Sequence, residues 1–372
     1  MNEETVLQTL HEQNIDLVVS LPCDKSKRLT ALLPVEFQVI DLVHEEDGVG
    51  ICAGAYLGGR RPAMSVQSSG IGNMLNALMS LSRVYALPLP ILASWRGVGN
   101  EAICAQIPFN EPLPKLLDVY HIPYRIFLNG ADLEHLDEVI EGAYAGKTPF
   151  VALILPPCWE PQEPAMISYP RRNIPQKMLS LPGYADPQML RLDAIRAVVD
   201  FVDDDTIIVS NIGVPSKELY ASRDRSGNFY MLGSYTQASA IGLGCALACP
   251  KRRVIVLDGD GSLLGSAVLP AVAAAGLPNL TIVALDNGTF GSTGNQISPA
   301  YATADLGFLA FAAGMTLIER ACSAEELQSA LRREIPFVHV PLRPGNAVSS
   351  NVPLLPTEIR DRFMAFCHGQ DI

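Results

Sequence analysis

The stretch "VIVLDGDGSLLGS", residues 254–266, decides how this chain is read. Four apolar residues, three of them β-branched, run into Asp258, Gly259, Asp260, Gly261 and Ser262, and a helix-like apolar segment follows. Strand, glycine turn, helix is how α/β proteins place phosphates on helix N-termini. Two carboxylates in the turn oppose a bare phosphate, whereas a divalent cation between acid and phosphate reconciles them. The cation needs more oxygen ligands from a neighbouring strand end. "LTIVALDNGTFGSTGNQ", residues 280–296, supplies them: Asn287 follows a strand and lies 27 residues after Asp260, one helix and one strand away. A dinucleotide site is the rival reading. It fails because G-x-G-x-x-G needs glycine where Leu264 stands.

The 372 residues suffice for two or three domains with full cores, and 48% hydrophobic against 18% charged residues describes a globular chain. A net charge of −12 argues against nucleic acid or an anionic membrane as partner. An anionic substrate therefore needs a local basic patch. The eight cysteines contain no C-x-x-C pair and read as buried thiols. The acidic N-terminus "MNEETVLQTL" lacks the apolar core of a signal peptide, so a cytoplasmic location is expected. Residues 261–285 carry no charge and are long enough to cross a bilayer, but Pro270, Gly276, Pro278 and Asn279 divide them into a buried helix, a loop and a central strand.

Working outward, residues 1–155 alternate strands ("IDLVVSL", "FQVIDL", "PAMSVQ", "LPILAS", "YRIFL", "FVALIL") with helices near 45–58, 70–83, 112–120 and 131–145. That alternation predicts an α/β, doubly wound parallel sheet. Residues 156–187 hold eight of the 28 prolines and read as a linker. Alternation then resumes over 188–372, with a helix in "PQMLRLDAIRAVVDFV" capped by Asp186 with Pro187 in its first turn, and strands "TIIVS", "RVIVL", "LTIVAL" and "FVHVPL". Two α/β domains follow, with no visible sequence repeat between them and no room for a third.

The G-D-G at 259–261, followed at this spacing by "DNGT" at 286–289, resembles the signature of thiamine-diphosphate-dependent enzymes. The resemblance implies a first, pyrimidine-binding domain and a second, diphosphate-binding domain. It implies Mg²⁺ held by Asp260, the Asn287 side chain and the Thr289 carbonyl, with Gly259, Gly261 and Ser262 around the diphosphate. It also implies a catalytic Glu in the first domain that hydrogen-bonds the aminopyrimidine. "VHEEDGVGICAGAYL" places that Glu at 45, one residue before Glu46. "LGSYTQAS" resembles the segment that touches the aminopyrimidine, through Gly233, Ser234 and Tyr235, with Tyr235 and Thr236 where the family carries Met-Gly.

The missing middle domain, "QSSGIGN" at 67–73, "SWRG" at 94–97 and "SNIGVPSKELY" at 210–220 narrow the resemblance to the short decarboxylases of 3-sulfopyruvate and 3-phosphonopyruvate. "SLPCDKSKRL" and "HEEDGVGICAGAYL" look closer to the former, whose halves are often separate α and β subunits. The implied reaction releases CO₂ and sulfoacetaldehyde, on the way to coenzyme M in that family, with the thiazolium as electron sink. Lys25, Arg28 and Arg96, with Gln67 and Ser68, are candidates for the anionic substrate; Lys25 and Arg28 read as readily as solvated surface charges, whereas Arg96, beside Trp95 in a glycine-ended loop, reads as the anion-binding cation. Phosphonopyruvate, carboligation, and a non-catalytic protein on the same fold stay open as alternatives. The resemblance implies a homodimer or homotetramer with sites at the subunit interface, while the linker is long enough for a site within one chain.

Overall fold

The computed structural model describes residues 2–159, 181, 183 and 186–370. Residues 160–180, 182, 184 and 185, most of the proline-rich stretch, lie outside the described residues. The described chain divides into two compact units, 2–56 with 60–159, and 57–59 with 186–370.

The first unit holds six parallel strands: β1 (Leu17–Ser20), β2 (Gln38–Asp41), β3 (Pro62–Gln67), β4 (Leu89–Ser94), β5 (Tyr124–Phe127) and β6 (Pro149–Ile154). Their order is β2-β1-β3-β4-β6-β5. β4 is buried along its whole length, as a strand covered on both faces must be. One face is covered partly by helix Asn2–Glu12, whose Val6, Leu7 and Leu10 enter a core with Ile140 and Phe127. The strand-and-helix pattern read from the sequence did not include that helix, nor helix Lys27–Glu36.

In the second unit the strands are β7 (Ile207–Ser210), β8 (Asn228–Tyr230), β9 (Val254–Gly259), β10 (Leu280–Asp286), the two-residue pieces β11 (Thr289–Phe290) and β12 (Gln296–Ile297), β13 (Ile318–Arg320) and β14 (Phe337–Pro341). The six-stranded sheet runs β8-β7-β9-β10-β14-β13, all parallel, and β11 pairs with β12 as a separate antiparallel ribbon. Taken in order of appearance, this is the strand order of the first sheet. The repeat is also faintly written in the sequence: Gly50, Arg60 and Arg61 precede β3 at the spacing at which Gly242, Arg252 and Arg253 precede β9.

Two local expectations need correction. The helix after the linker is Arg191–Phe201, beginning later than "PQML", and its entry is closed by the Asp193 carboxylate accepting the Leu190 N–H at 2.9 Å rather than by Asp186. The apolar run 261–285 is two short helices, Asp260–Gly265 and Leu269–Ala275, then β10. Among the described residues no helix is long and apolar enough to cross a membrane.

Candidate functional site

In both units the strand order turns around at the first strand in sequence, and such switch points open a crevice at the carboxyl ends of the strands. In the second unit that crevice is an open cleft of about 600 Å³. The loop after β7 (Asn211, Ile212), the turn after β9 (Gly259–Ser262) and the loop after β10 (Asn287, Thr289) line it. β9 and β10 pair in parallel with Gly259 opposite Leu285, so Asp260 and Asn287 leave neighbouring strand ends.

The two acids of the opening stretch part company here. Asp258 is fully buried and turned to structure: its carboxylate accepts the Ser239 hydroxyl at 2.6 Å, the Ser239 N–H at 3.2 Å and the Gly259 N–H at 2.9 Å. It thereby ties β9 to helix Ala238–Ala248. That helix is built of small residues because it lies close on the sheet, where a Cβ at Gly242 would strike Val256. Asp260 lines the cleft instead, buried, with the Ser298 hydroxyl donating to it. Burial pushes both acids up to about 6, and the charge of Asp286 adds to the effect on Asp260.

Further buried polar atoms of this region have no hydrogen-bond partner, among them Asn287 Nδ2, Thr289 Oγ1, Ser262 Oγ and Ser234 Oγ. Unsatisfied buried groups are costly unless a ligand or ion completes them. Asn287 Oδ1 takes the Thr289 N–H at 3.2 Å, which sets the loop. Gly261 leaves the turn open, since a Cβ there would lie 2.5 Å from the Phe290 ring. The Asp260 carboxylate, Asn287 Oδ1 and the Thr289 oxygens offer a hard divalent cation its ligands around a glycine turn, while Asn287 Nδ2 can only donate, as to a phosphate oxygen behind it. No group of three or more His, Cys, Asp or Glu side chains suited to a metal occurs among the described residues.

Tyr235 reaches across the turn and its hydroxyl donates to the Gly261 carbonyl, with the residue 45% exposed. Its neighbours Ser234 and Thr236 have φ of 67° and 78°, the left-handed region. For a β-branched residue that is strained. Thr236 stands where glycine would be at ease.

At the corresponding edge of the first unit, Glu45 opens helix Glu45–Leu57 and is buried, while Glu46 is half-buried. Asn73 Nδ2 donates to Glu45 Oε2 at 2.8 Å, and a Cβ at Gly70 would lie 2.5 Å from Glu45 Oε1. "QSSGIGN" therefore supplies the seat of Glu45, a role for Gly70 and Asn73 that sequence reasoning did not assign.

The substrate candidates are less available than expected. Arg96 is neither a solvated charge nor a free cation: it is 3% exposed, with Nε and Nη2 donating to Glu101 at 2.7 and 2.9 Å and Asp24 at 3.8 Å. Ser68 is wholly buried, donating to Asn110 at 2.5 Å and accepting the Arg96 N–H. Gln67 donates to Ser69 and Gln106. Lys25 lies 3.3 Å from Asp24, and Arg28 lies 3.6 Å from Glu4.

Comparison with known proteins agrees with this geometry. Residues 2–117 match the thiamine pyrophosphate enzyme N-terminal TPP binding domain, and residues 216–341 the C-terminal TPP binding domain of the same enzymes. Sulfopyruvate decarboxylase of Methanosarcina acetivorans is 44% identical over 97% of this chain and 96% of its own. Phosphonopyruvate decarboxylase of Streptomyces viridochromogenes is 32% identical over 88% and 84%. Separate sulfopyruvate decarboxylase subunits also match parts of the chain: a beta subunit from Methanothermobacter thermautotrophicus at 42% over 48% of this chain and 96% of its own, and an alpha subunit from Methanococcus maripaludis at 42% over 32% and 74%. A thiamin diphosphate-dependent enzyme structure from Mycobacterium smegmatis superposes with a TM-score of 0.72 over 94% of this chain and all of its own, at 13% identity, a likeness of fold alone. The chain belongs to the thiamine pyrophosphate enzymes, in the group of decarboxylases related to sulfopyruvate decarboxylase.

Proposed function

We propose that this chain decarboxylates 3-sulfopyruvate to sulfoacetaldehyde and CO₂ with thiamine diphosphate and Mg²⁺. The observation that carries the reading is the cleft of the second unit, lined by buried Asp260, by Asn287 with its Nδ2 unpartnered, and by Thr289 with its hydroxyl unpartnered, on a glycine turn. In this reading Asp260, Asn287 and Thr289 hold the cation, and Gly259, Gly261 and Ser262 leave room for the diphosphate. Ser234 and Tyr235, beside Gly233, face the ring end. Thiamine diphosphate, when bound, supplies the electron sink for loss of CO₂.

Glu45 is the proton-handling group. It is held in a poorly solvated site with one oxygen tied to Asn73, which suits a carboxyl that shares a proton rather than staying hydrated. Glu45 and the cation site lie in different units. We place them together across a subunit interface of a two-fold dimer, Glu45 of one copy serving the cofactor held by the other.

The state of the cations supports sulfonate over phosphonate. A phosphonate carries nearly one more negative charge at neutral pH. Arg96 is already paired with Glu101, and Lys25 and Arg28 each have a carboxylate nearby, so little uncompensated positive charge is left for a dianionic tail. The test is a side-by-side assay of purified protein with thiamine diphosphate and Mg²⁺. A kcat/KM for sulfopyruvate at least about tenfold above that for phosphonopyruvate is expected, a margin worth about 1.4 kcal/mol. The reverse order overturns the substrate assignment.

A further inference from the structure

We propose that His339 is a positioning residue for the cation-binding turn, acting through Asp286 to set how tightly Asn287 and Thr289 hold a divalent cation. The inference rests on the assignment of that turn to Mg²⁺ above. His339 lies on β14, which pairs with β10 and places His339 opposite Ala284, two residues before Asp286. Its strand neighbours Phe337, Val338 and Val340 are apolar and fully buried, and His339 is itself 0% exposed. A buried imidazole among them is costly unless its partners repay the lost hydration.

Those partners form a chain that ends at the turn. His339 Nε2 is 2.8 Å from Asp286 Oδ2, and Asp286 Oδ1 accepts the Gly288 N–H at 3.1 Å. Gly288 has φ of 63°, so this hydrogen bond fixes the left-handed step between Asn287 and Thr289. On the far side, His339 Nδ1 is 3.6 Å from Asp305 Oδ1. Asp305 caps helix Leu306–Ala312 through the Gly307 and Phe308 N–H groups, at 2.9 and 3.1 Å, and is ion-paired with buried Arg320 on β13. Arg320, Asp305, His339 and Asp286 thus anchor the turn to three neighbouring elements.

The arrangement also does something a merely structural network need not. Asp286 is close enough to Asp260 for its charge to act on it. His339 holds the Asp286 carboxylate toward β14 and the Gly288 N–H. The Asn287 amide and Thr289 are then left as the groups of this turn that line the cleft. Partners that orient a metal ligand in this way are worth roughly 10–100-fold in metal affinity.

The experiment is a Mg²⁺ titration of thiamine diphosphate binding, followed by calorimetry on the full chain, with steady-state kinetics alongside. His339→Leu should raise the Mg²⁺ concentration for half-maximal binding by roughly 10–100-fold. The kcat at saturating Mg²⁺ should stay close to wild type, and His339→Gln should recover part of the affinity. A folded His339→Leu protein with wild-type Mg²⁺ dependence overturns the proposal. Should His339→Leu fail to fold, Asp305→Asn keeps the helix cap's acceptor while removing the charge facing His339. It should shift the Mg²⁺ titration in the same direction by a smaller factor, and no shift overturns the proposal. Asp260→Ala separates the two readings. If it abolishes binding while the His339 and Asp305 variants leave it untouched, the positioning role fails and the cation site stands. If Asp260→Ala binds normally, both fall.

Discussion

At the carboxyl edge of the first sheet, polar and charged side chains are mostly answered by the protein itself: Glu45 by Asn73, Arg96 by Glu101, Ser68 by Asn110. At the matching edge of the second sheet, Asn287 Nδ2, Thr289 Oγ1 and Ser234 Oγ are buried without partners, beside a buried acid. The first edge has buried hydroxyls without hydrogen-bond partners too, those of Ser20 and Ser94, so the difference lies in the Asn287 amide and the buried Asp260 beside it. The same strand order underlies both. One scaffold, used twice, is therefore finished in two ways. In the proposed reading the first copy pre-positions a proton-handling carboxyl, and the second keeps buried polar groups, an amide N–H and hydroxyls beside a carboxylate, for a complement from outside the chain.

That contrast can be broken most directly at Asp260. Asp260→Ala should leave no detectable turnover and lose more Mg²⁺ affinity than the roughly 10–100-fold of an outer partner, read as loss of thiamine diphosphate on desalting. Retention at the wild-type level would remove the cation from the second edge. Next, Glu45→Gln should slow deuterium exchange at the cofactor's C2 by roughly 10²–10⁴-fold while Mg²⁺ dependence stays unchanged. If Glu46→Gln slows exchange and Glu45→Gln does not, the assignment is off by one residue. Mixing the inactive Glu45→Gln and Asp260→Ala chains under subunit exchange should restore about a quarter of wild-type activity, because half of randomly paired dimers are mixed and each holds one intact site. Mixed dimers without activity would put the site within one chain.

The self-paired character of the first edge is tested at Glu101. Hydrogen bonds from Arg96 hold its carboxyl down to about 2 from an ordinary 4.5. Its stabilisation is therefore complete above 4.5 and is lost as the pH falls toward about 2. Glu101→Gln should flatten that part of the acid-stability curve. At neutral pH it should cost about 3 kcal/mol, the low end for breaking a buried pair because Asp24 remains near Arg96. A urea midpoint and acid slope like wild type would show that the pair carries no stability. The smallest expected effect is at Thr236. Its φ of 78° suits glycine, so Thr236→Gly should stabilise by about 1 kcal/mol, less whatever is lost with the Gln237 hydrogen bond at 3.1 Å. A net loss of stability would mean that the threonine hydroxyl outweighs its backbone strain.

What the sequence determined by itself was whatever is written locally. Period and composition located all six strands of the first sheet and the four long strands β7, β9, β10 and β14 of the second. The spacing from Asp260 to Asn287 anticipated that both leave neighbouring parallel strand ends, although two short helices rather than one lie between them. Edge strands β8 and β13, three residues each, are too short to show a period, and the repeat of the two sheets survives in too few residues to be seen without the strand order. Tertiary structure alone decided which way each charge faces. Asp258 and Asp260 are two residues apart and chemically identical, yet Ser239 claims one and the cleft receives the other. Arg96 reads as an anion-binding cation until Glu101 and Asp24 close around it, and Glu45 is seated by Gly70 and Asn73. The physical reason is that a buried charge is set by the partners that repay its lost hydration, and those partners arrive from other strands and loops.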